Sequence, residues 1–162
     1  MALLVFTILI CAAIGSGLIA GVFFAFSTFV MKAFARLPVK QGAAAMQSIN
    51  RVILRSLFMP LFFGCAALSV VLIFAWRLQW AVTDWVAVLA GIVFYVVGVF
   101  LCTIAFNVPL NVRLESMSPA EAAASGTWNH YLSVWTAWNH VRTVAALAAS
   151  AAFAAGAAGV QG

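Results

Sequence analysis

Residues 2–31 carry no charged side chain, and neither do 57–76 or 85–106. A helix needs about 20 predominantly apolar residues to cross a bilayer core, so each of these runs is long enough to span one. No other property of the chain constrains its fold as tightly. Apolar residues make up 67% of its 162 positions and charged ones 7%, against roughly 45–50% and about 25% in soluble domains. A single soluble domain of this size lacks the interior to hide so much apolar surface. The balance excludes a soluble enzyme, a disordered tail and a nucleic-acid binder, and implies an integral membrane protein in direct contact with lipid.

Four spans are expected, at about residues 3–31, 57–76, 85–106 and 135–158, within one domain over 1–162. Unpaired strand edges cannot exist in lipid, and no barrel-like alternation is visible, so the expected class is all-α, a four-transmembrane-helix bundle. The N-terminal run lacks a basic leader and exceeds the apolar core of a cleavable signal, so it is expected to stay and span. Cys11, Cys65 and Cys102 each sit inside an apolar run with no metal-ligand spacing, as small core residues would.

Two extensions are expected. Met46, Ile49, Ile53 and Leu57 recur at helical spacing while Gln47, Asn50 and Arg51 cluster opposite them. This predicts an amphipathic start to one long second helix over 41–76, bent within the span at Pro60. Ser118-Pro119-Ala120-Glu121 has an N-cap serine, a proline at the first helical position and a glutamate at the third. It predicts that the last helix begins near Pro119.

The net charge of +5 comes from basic residues at segment ends. Lys32, Arg36, Lys40, Arg51 and Arg55 flank the first connection, Arg113 lies in the third, and Arg77 alone in the second. The positive-inside rule then expects a multi-pass protein of the inner (cytoplasmic) membrane with both termini outside.

The string Trp135-Thr136-Ala137-Trp138-Asn139-His140-Val141-Arg142-Thr143 precedes an alanine-rich stretch. For that weakly apolar stretch to span, the helix must cross from near Trp135, which carries Asn139, His140 and Arg142 below the headgroups. Ionisable residues there are expensive and need partners. Trp135, Asn139 and Arg142 share a helix face, and His140 and Thr143 an adjacent strip. Asn107 and Asn111 lie one turn apart at the same depth, with Asn50 and Ser27 as further polar members at that end. An interfacial reading stands beside this one: Trp135 and Trp138 as belt residues, Arg142 snorkelling to phosphates. His130 and His140 are ten residues apart, about 15 Å along a helix, so a shared metal is not expected. No di-iron carboxylate cluster, phosphate loop or serine elbow is present. A haem on His140 is the one cofactor reading left open.

Gly21-Val22-Phe23-Phe24-Ala25-Phe26-Ser27-Thr28-Phe29-Val30-Met31-Lys32-Ala33, Ala45-Met46-Gln47-Ser48-Ile49-Asn50, Asn107-Val108-Pro109-Leu110-Asn111 and the Trp135–Thr143 string together resemble bacterial membrane proteins grouped with anthrone oxygenases. The resemblance covers most of the chain and is most specific in the last string. It implies oxidation of a polyketide anthrone to a quinone without metal or flavin: loss of a methylene proton gives an enolate that passes an electron to O₂. The roles implied are His140 as base, Arg142, Asn139 and Asn107 as donors to the enolate oxygen, and Trp135, Trp138 and Tyr131 as stacking surfaces. Asn111, Asn50 and Ser27 would complete the substrate pocket. The implied partners are a hydrophobic aromatic small molecule and O₂, with a homo-oligomer also open. The alternative is a non-catalytic protein holding a quinone, haem or lipid head group in the same pocket.

Overall fold

A computed structural model describes residues 1–80, 82 and 84–160. Positions 81 and 83 of the second connection, and the last two of the expected 1–162 domain, lie outside the described residues. The fold is all-α, with six helices among the described residues. We number them α1 (Ala2–Ala35), α2 (Val39–Ile53), α3 (Phe58–Arg77), α4 (Trp85–Glu115), α5 (Pro119–Ala124) and α6 (Thr127–Ala158). Four of them, α1, α3, α4 and α6, are long and apolar enough to cross a membrane. Their outward faces carry Leu18, Phe74, Val86, Val97 and Leu147, all exposed as lipid contact requires. The protein is a multi-pass membrane bundle.

Helix lengths create the space that matters. At 1.5 Å per residue, the 20 residues of α3 cover about 30 Å, one bilayer core, whereas the 31–34 residues of α1, α4 and α6 cover about 46–51 Å. Above the start of α3 the bundle would be missing a wall, and α2 folds over that gap. Gly42 makes the close seat possible: a Cβ there would lie 2.8 Å from the Phe34 carbonyl oxygen and 2.9 Å from the Trp128 ring. Gln47 Nε2 donates at 2.8 Å to the carbonyls of both Leu114 and Met117 at and just beyond the end of α4, tying α2 to it. Arg51 pairs with Glu115 outside. A second, smaller core of Met31, Ala43, Met46, Leu114, Ala122 and Trp128 closes this polar end.

Several expectations need correction. The second helix does not run unbroken over 41–76. It stops at Ile53 and restarts at Phe58, with Ser56 Oγ bonding the Ile53 carbonyl and accepting from Phe58 N–H. Pro60 therefore falls in the first turn of α3, where its missing N–H leaves no gap in the ladder, and it does not bend the span. Of the polar cluster on α2, Gln47 and Asn50 turn inward while Arg51 stays exposed. The Ser118 capping box forms as expected, but α5 ends after one and a half turns at Ser125 and Gly126. Gly126 adopts φ +70°, a left-handed conformation that suits glycine, so the last helix begins at Thr127. The third span continues through Asn107 and Pro109 to Glu115. Wide π-turns over Phe94–Leu101 and Thr103–Asn107 precede Pro109 and make room for its ring.

Gly156 lets α6 pack closely on α4: a Cβ there would lie 2.5 Å from Val88 Cγ2. Cys65 and Cys102 are buried as expected, whereas Cys11 is exposed on the outer surface of α1, and all three are free thiols.

Candidate functional site

Directly beneath α2 lies a pocket of about 180 Å³. Its walls come from five helices, and its lining is mostly apolar: Phe23 and Phe26 from α1, Met46 and Ile49 from α2, Phe58 and Phe62 from α3, and Phe100 from α4. Phe58, Phe62 and Phe100 form a continuous ring floor, with centroid separations of 5.8 Å and 5.3 Å. Asn50, Thr103, Asn111 and Arg142 supply the polar lining, and the Trp135 ring completes the wall.

Arg142 dominates the electrostatics. It is 4% exposed, and its guanidinium carbon stands 4.3 Å from the Phe23 ring centre and 5.1 Å from that of Trp135. Nη1 donates to Thr103 Oγ1 at 3.3 Å and Nη2 to Asn139 Oδ1 at 2.6 Å. Nε has no partner among the described residues. The chain holds three acidic residues, and none serves Arg142. Asp84 caps α4 by accepting from Ala87 N–H, Glu115 pairs with Arg51, and Glu121 closes the capping box on Ser118. Among the described residues this buried pocket cation has no counter-ion, and it is stabilised by two ring faces and two neutral oxygens.

The second layer holds that cation in place. Asn139 is fully buried and donates through Nδ2 to both the Phe23 carbonyl and Ser27 Oγ, each at 2.7 Å. Ser27 Oγ also lies 3.1 Å from Thr143 Oγ1. With both donors spent on α1, Asn139 has only its oxygen to offer, and Arg142 takes it. Asn111 is fixed the same way. Its Oδ1 accepts from Tyr131 OH at 2.7 Å and from Trp135 Nε1 at 2.9 Å, and the residue lines the pocket. Asn50 Nδ2 is buried and unpartnered among the described residues. Thr103 Oγ1 already donates to the Val99 carbonyl. Arg142, Asn111 and Asn50 therefore bring donor groups to the polar side of the pocket. Such a set matches a ligand that presents acceptor oxygens and negative charge.

The expected site residues divide accordingly. Arg142, Asn111, Trp135 and Asn50 meet in the pocket. Asn139, Ser27 and Tyr131 stand behind it as supports. Asn107 is buried, with Nδ2 donating to the Trp135 carbonyl at 3.2 Å and Oδ1 unpartnered among the described residues; it does not line the pocket. His140 and Trp138 need correction. A residue next to Asn139 on a helix is turned about 100° from it, and His140 accordingly lies exposed on the outer surface. It cannot act on a ligand in this pocket, nor offer one an axial imidazole. Trp138 stacks flat on Phe106 at 3.6 Å and faces an outer groove between α4 and α6, so it is not a pocket wall. Sequence reasoning missed Thr103, a single hydroxyl in an apolar run, and the α1 and α3 aromatics, which looked like any other lipid-facing rings.

The sequence pattern of the anthrone oxygenase family matches residues 50–152, a segment that includes Thr103, Asn111, Trp135, Asn139 and Arg142. No curated protein and no solved structure matches the chain.

Proposed function

The chain belongs to the anthrone oxygenase family, and from that premise we propose that it is a cofactor-independent, oxygenase-like membrane enzyme acting on a flat hydrophobic phenol or anthrone. The observation that carries this reading is Arg142, a buried pocket cation with no carboxylate partner and an unengaged Nε. A bound enolate or phenolate oxygen supplies the missing negative charge. In a low-dielectric pocket that pairing is worth far more than in water, so Arg142 makes the substrate acidic. Asn111 and Asn50 donate to its other oxygens, and the Phe58–Phe62–Phe100 floor packs against its rings.

The chemistry follows from the anion. An anthrone methylene loses one proton to water, since no side-chain base lines the pocket. The electron-rich enolate passes one electron to O₂, giving superoxide and a carbon radical. These combine as a peroxide at the former methylene. Loss of its remaining hydrogen as a proton and cleavage of O–O release water and leave the quinone carbonyl. One O₂ is consumed per substrate, with one oxygen in the product and one in water. No metal or flavin enters any step.

Oxygen uptake and quinone absorbance, followed with a hydroxyanthrone added to proteoliposomes, test the proposal. The expected result is one O₂ per anthrone, at a rate well above that of empty liposomes. The lack of a pocket base favours one second reading, non-catalytic retention of a quinone or lipid head group. Saturable binding without oxygen uptake would establish that reading instead, and visible absorbance of the purified protein would report a haem. The basic residues around α2 support an inner-membrane orientation with both termini outside and the pocket in the cytoplasmic half. Cysteines placed at Lys40 and Gln79 test it: external reagent should reach the second and not the first.

A further inference from the structure

The pocket is not sealed on its lipid side. Leu54, Phe63, Ile104 and Val108 line it and are also exposed. All four are apolar. They come from the α2–α3 turn, from α3 and from the second half of α4. α3 packs on α4 along the 85–101 part, while the π-turn Thr103–Asn107 and the segment beyond it pack instead on α6 and α2. The two helices thus part where the pocket lies. Phe63 is five residues inside the start of α3, about 8 Å along its axis, so the gap sits within the acyl region just below the headgroups. On the opposite, water-facing side the pocket is roofed by α2, held down by Gln47 and by the Arg51–Glu115 pair.

We propose that this window between α3 and α4, framed by Phe63, Ile104, Val108 and Leu54, is a lateral portal through which an amphipathic ligand passes from the bilayer into the pocket. The occupant is a flat apolar molecule with an acidic oxygen, because the rim is wholly apolar while the far wall is the unpaired Arg142 cation. Such a molecule partitions into the acyl region with its oxygen toward the headgroups. It enters edge-on between Phe63 and Ile104 with its acidic oxygen leading, so that the oxygen reaches Arg142 while the rings stay against the aromatic floor and the apolar rim. The portal rests on the same pocket as the proposed function but does not depend on its chemistry.

The experiment reads access rather than turnover. Proteoliposomes are illuminated with a small apolar aryl diazirine that partitions into the bilayer, and separately with a water-soluble diazirine. Modified residues are then located by mass spectrometry. The expected result is bilayer-reagent labelling of Met46 and Phe26 inside the pocket, falling at least fivefold in Ile104→Trp and in Val108→Trp. Leu147→Trp, on the lipid face of α6, should leave it unchanged. The labelling readout needs no oxygen uptake, so a failed oxygenase assay and a failed portal give different patterns. Labelling of Met46 and Phe26 only by the water-soluble reagent would overturn the portal. So would bilayer labelling that is indifferent to both tryptophans in variants that match the wild type in melting temperature.

Discussion

Asn139 Oδ1 accepts a 2.6 Å hydrogen bond from Arg142 Nη2, one helical turn further along α6. Because both Asn139 donors are committed to α1, through Phe23 and Ser27, the guanidinium is locked to the α1–α6 contact. Its Nε has no partner among the described residues, and the residue lines the pocket.

Arg142→Gln should lower hydroxyanthrone turnover by about 10²–10³-fold, the usual effect of removing one oxyanion donor. Arg142→Lys should not restore it, since an ammonium cannot bridge Thr103 and Asn139 while lying flat between two rings. Arg142→Met should hold or raise the melting temperature in detergent, because the uncompensated buried charge disappears. His140→Ala should stay within twofold of wild type in the oxygen-uptake assay. A large loss there would return the base role to His140.

Asn111 separates shape from charge. Asn111→Leu strands the Tyr131 hydroxyl and the Trp135 indole N–H and should cost about 1–3 kcal/mol for each donor left unpaired. Asn111→Asp keeps an acceptor for both, so the fold should persist. It adds a negative charge beside the ligand, and affinity for an anionic phenol should fall at least tenfold. Calorimetric melting and equilibrium binding, measured side by side, check the contrast.

Gly42→Ala should unseat the roof. Its Cβ would press on the Phe34 carbonyl and the Trp128 ring, and overpacking of this kind costs about 1–3 kcal/mol. Hydrogen exchange should rise in α2 while the lipid-embedded part of α6 stays protected.

The α5 cap should respond to acid. The Ser118 backbone N–H, and then its hydroxyl, hold the exposed Glu121 carboxyl below its ordinary range. A lowered folded value means that ionised Glu121 supports α5 above its unfolded pKa, about 4.3, and that this support fades as pH falls through the folded value. Protection of amides 119–124, measured against their intrinsic exchange rates, should therefore fall between pH 5 and pH 3. Glu121→Gln, which still caps but does not titrate, should flatten the response.

Apolar run length determined three of the spans and, with them, the all-α class, because lipid permits few other ways to satisfy a backbone. The fourth span needed the polar string from Trp135 to reach spanning length. The capping box was equally legible, since its hydrogen bonds lie within four consecutive residues. The polar string around Arg142 stood out because an ionisable residue at that depth needs an explanation wherever it points. Tertiary structure decided where each of its side chains went. One position of offset on α6 separates buried Asn139 from exposed His140, and the direction of α6's inner face depends on how α1 and α4 pack against it. The break before Phe58 and the descent of α2 onto the pocket were equally beyond local reading. They follow from α3 being shorter than its neighbours in the assembled bundle, and from Gln47 meeting carbonyls 67 and 70 residues away in the chain.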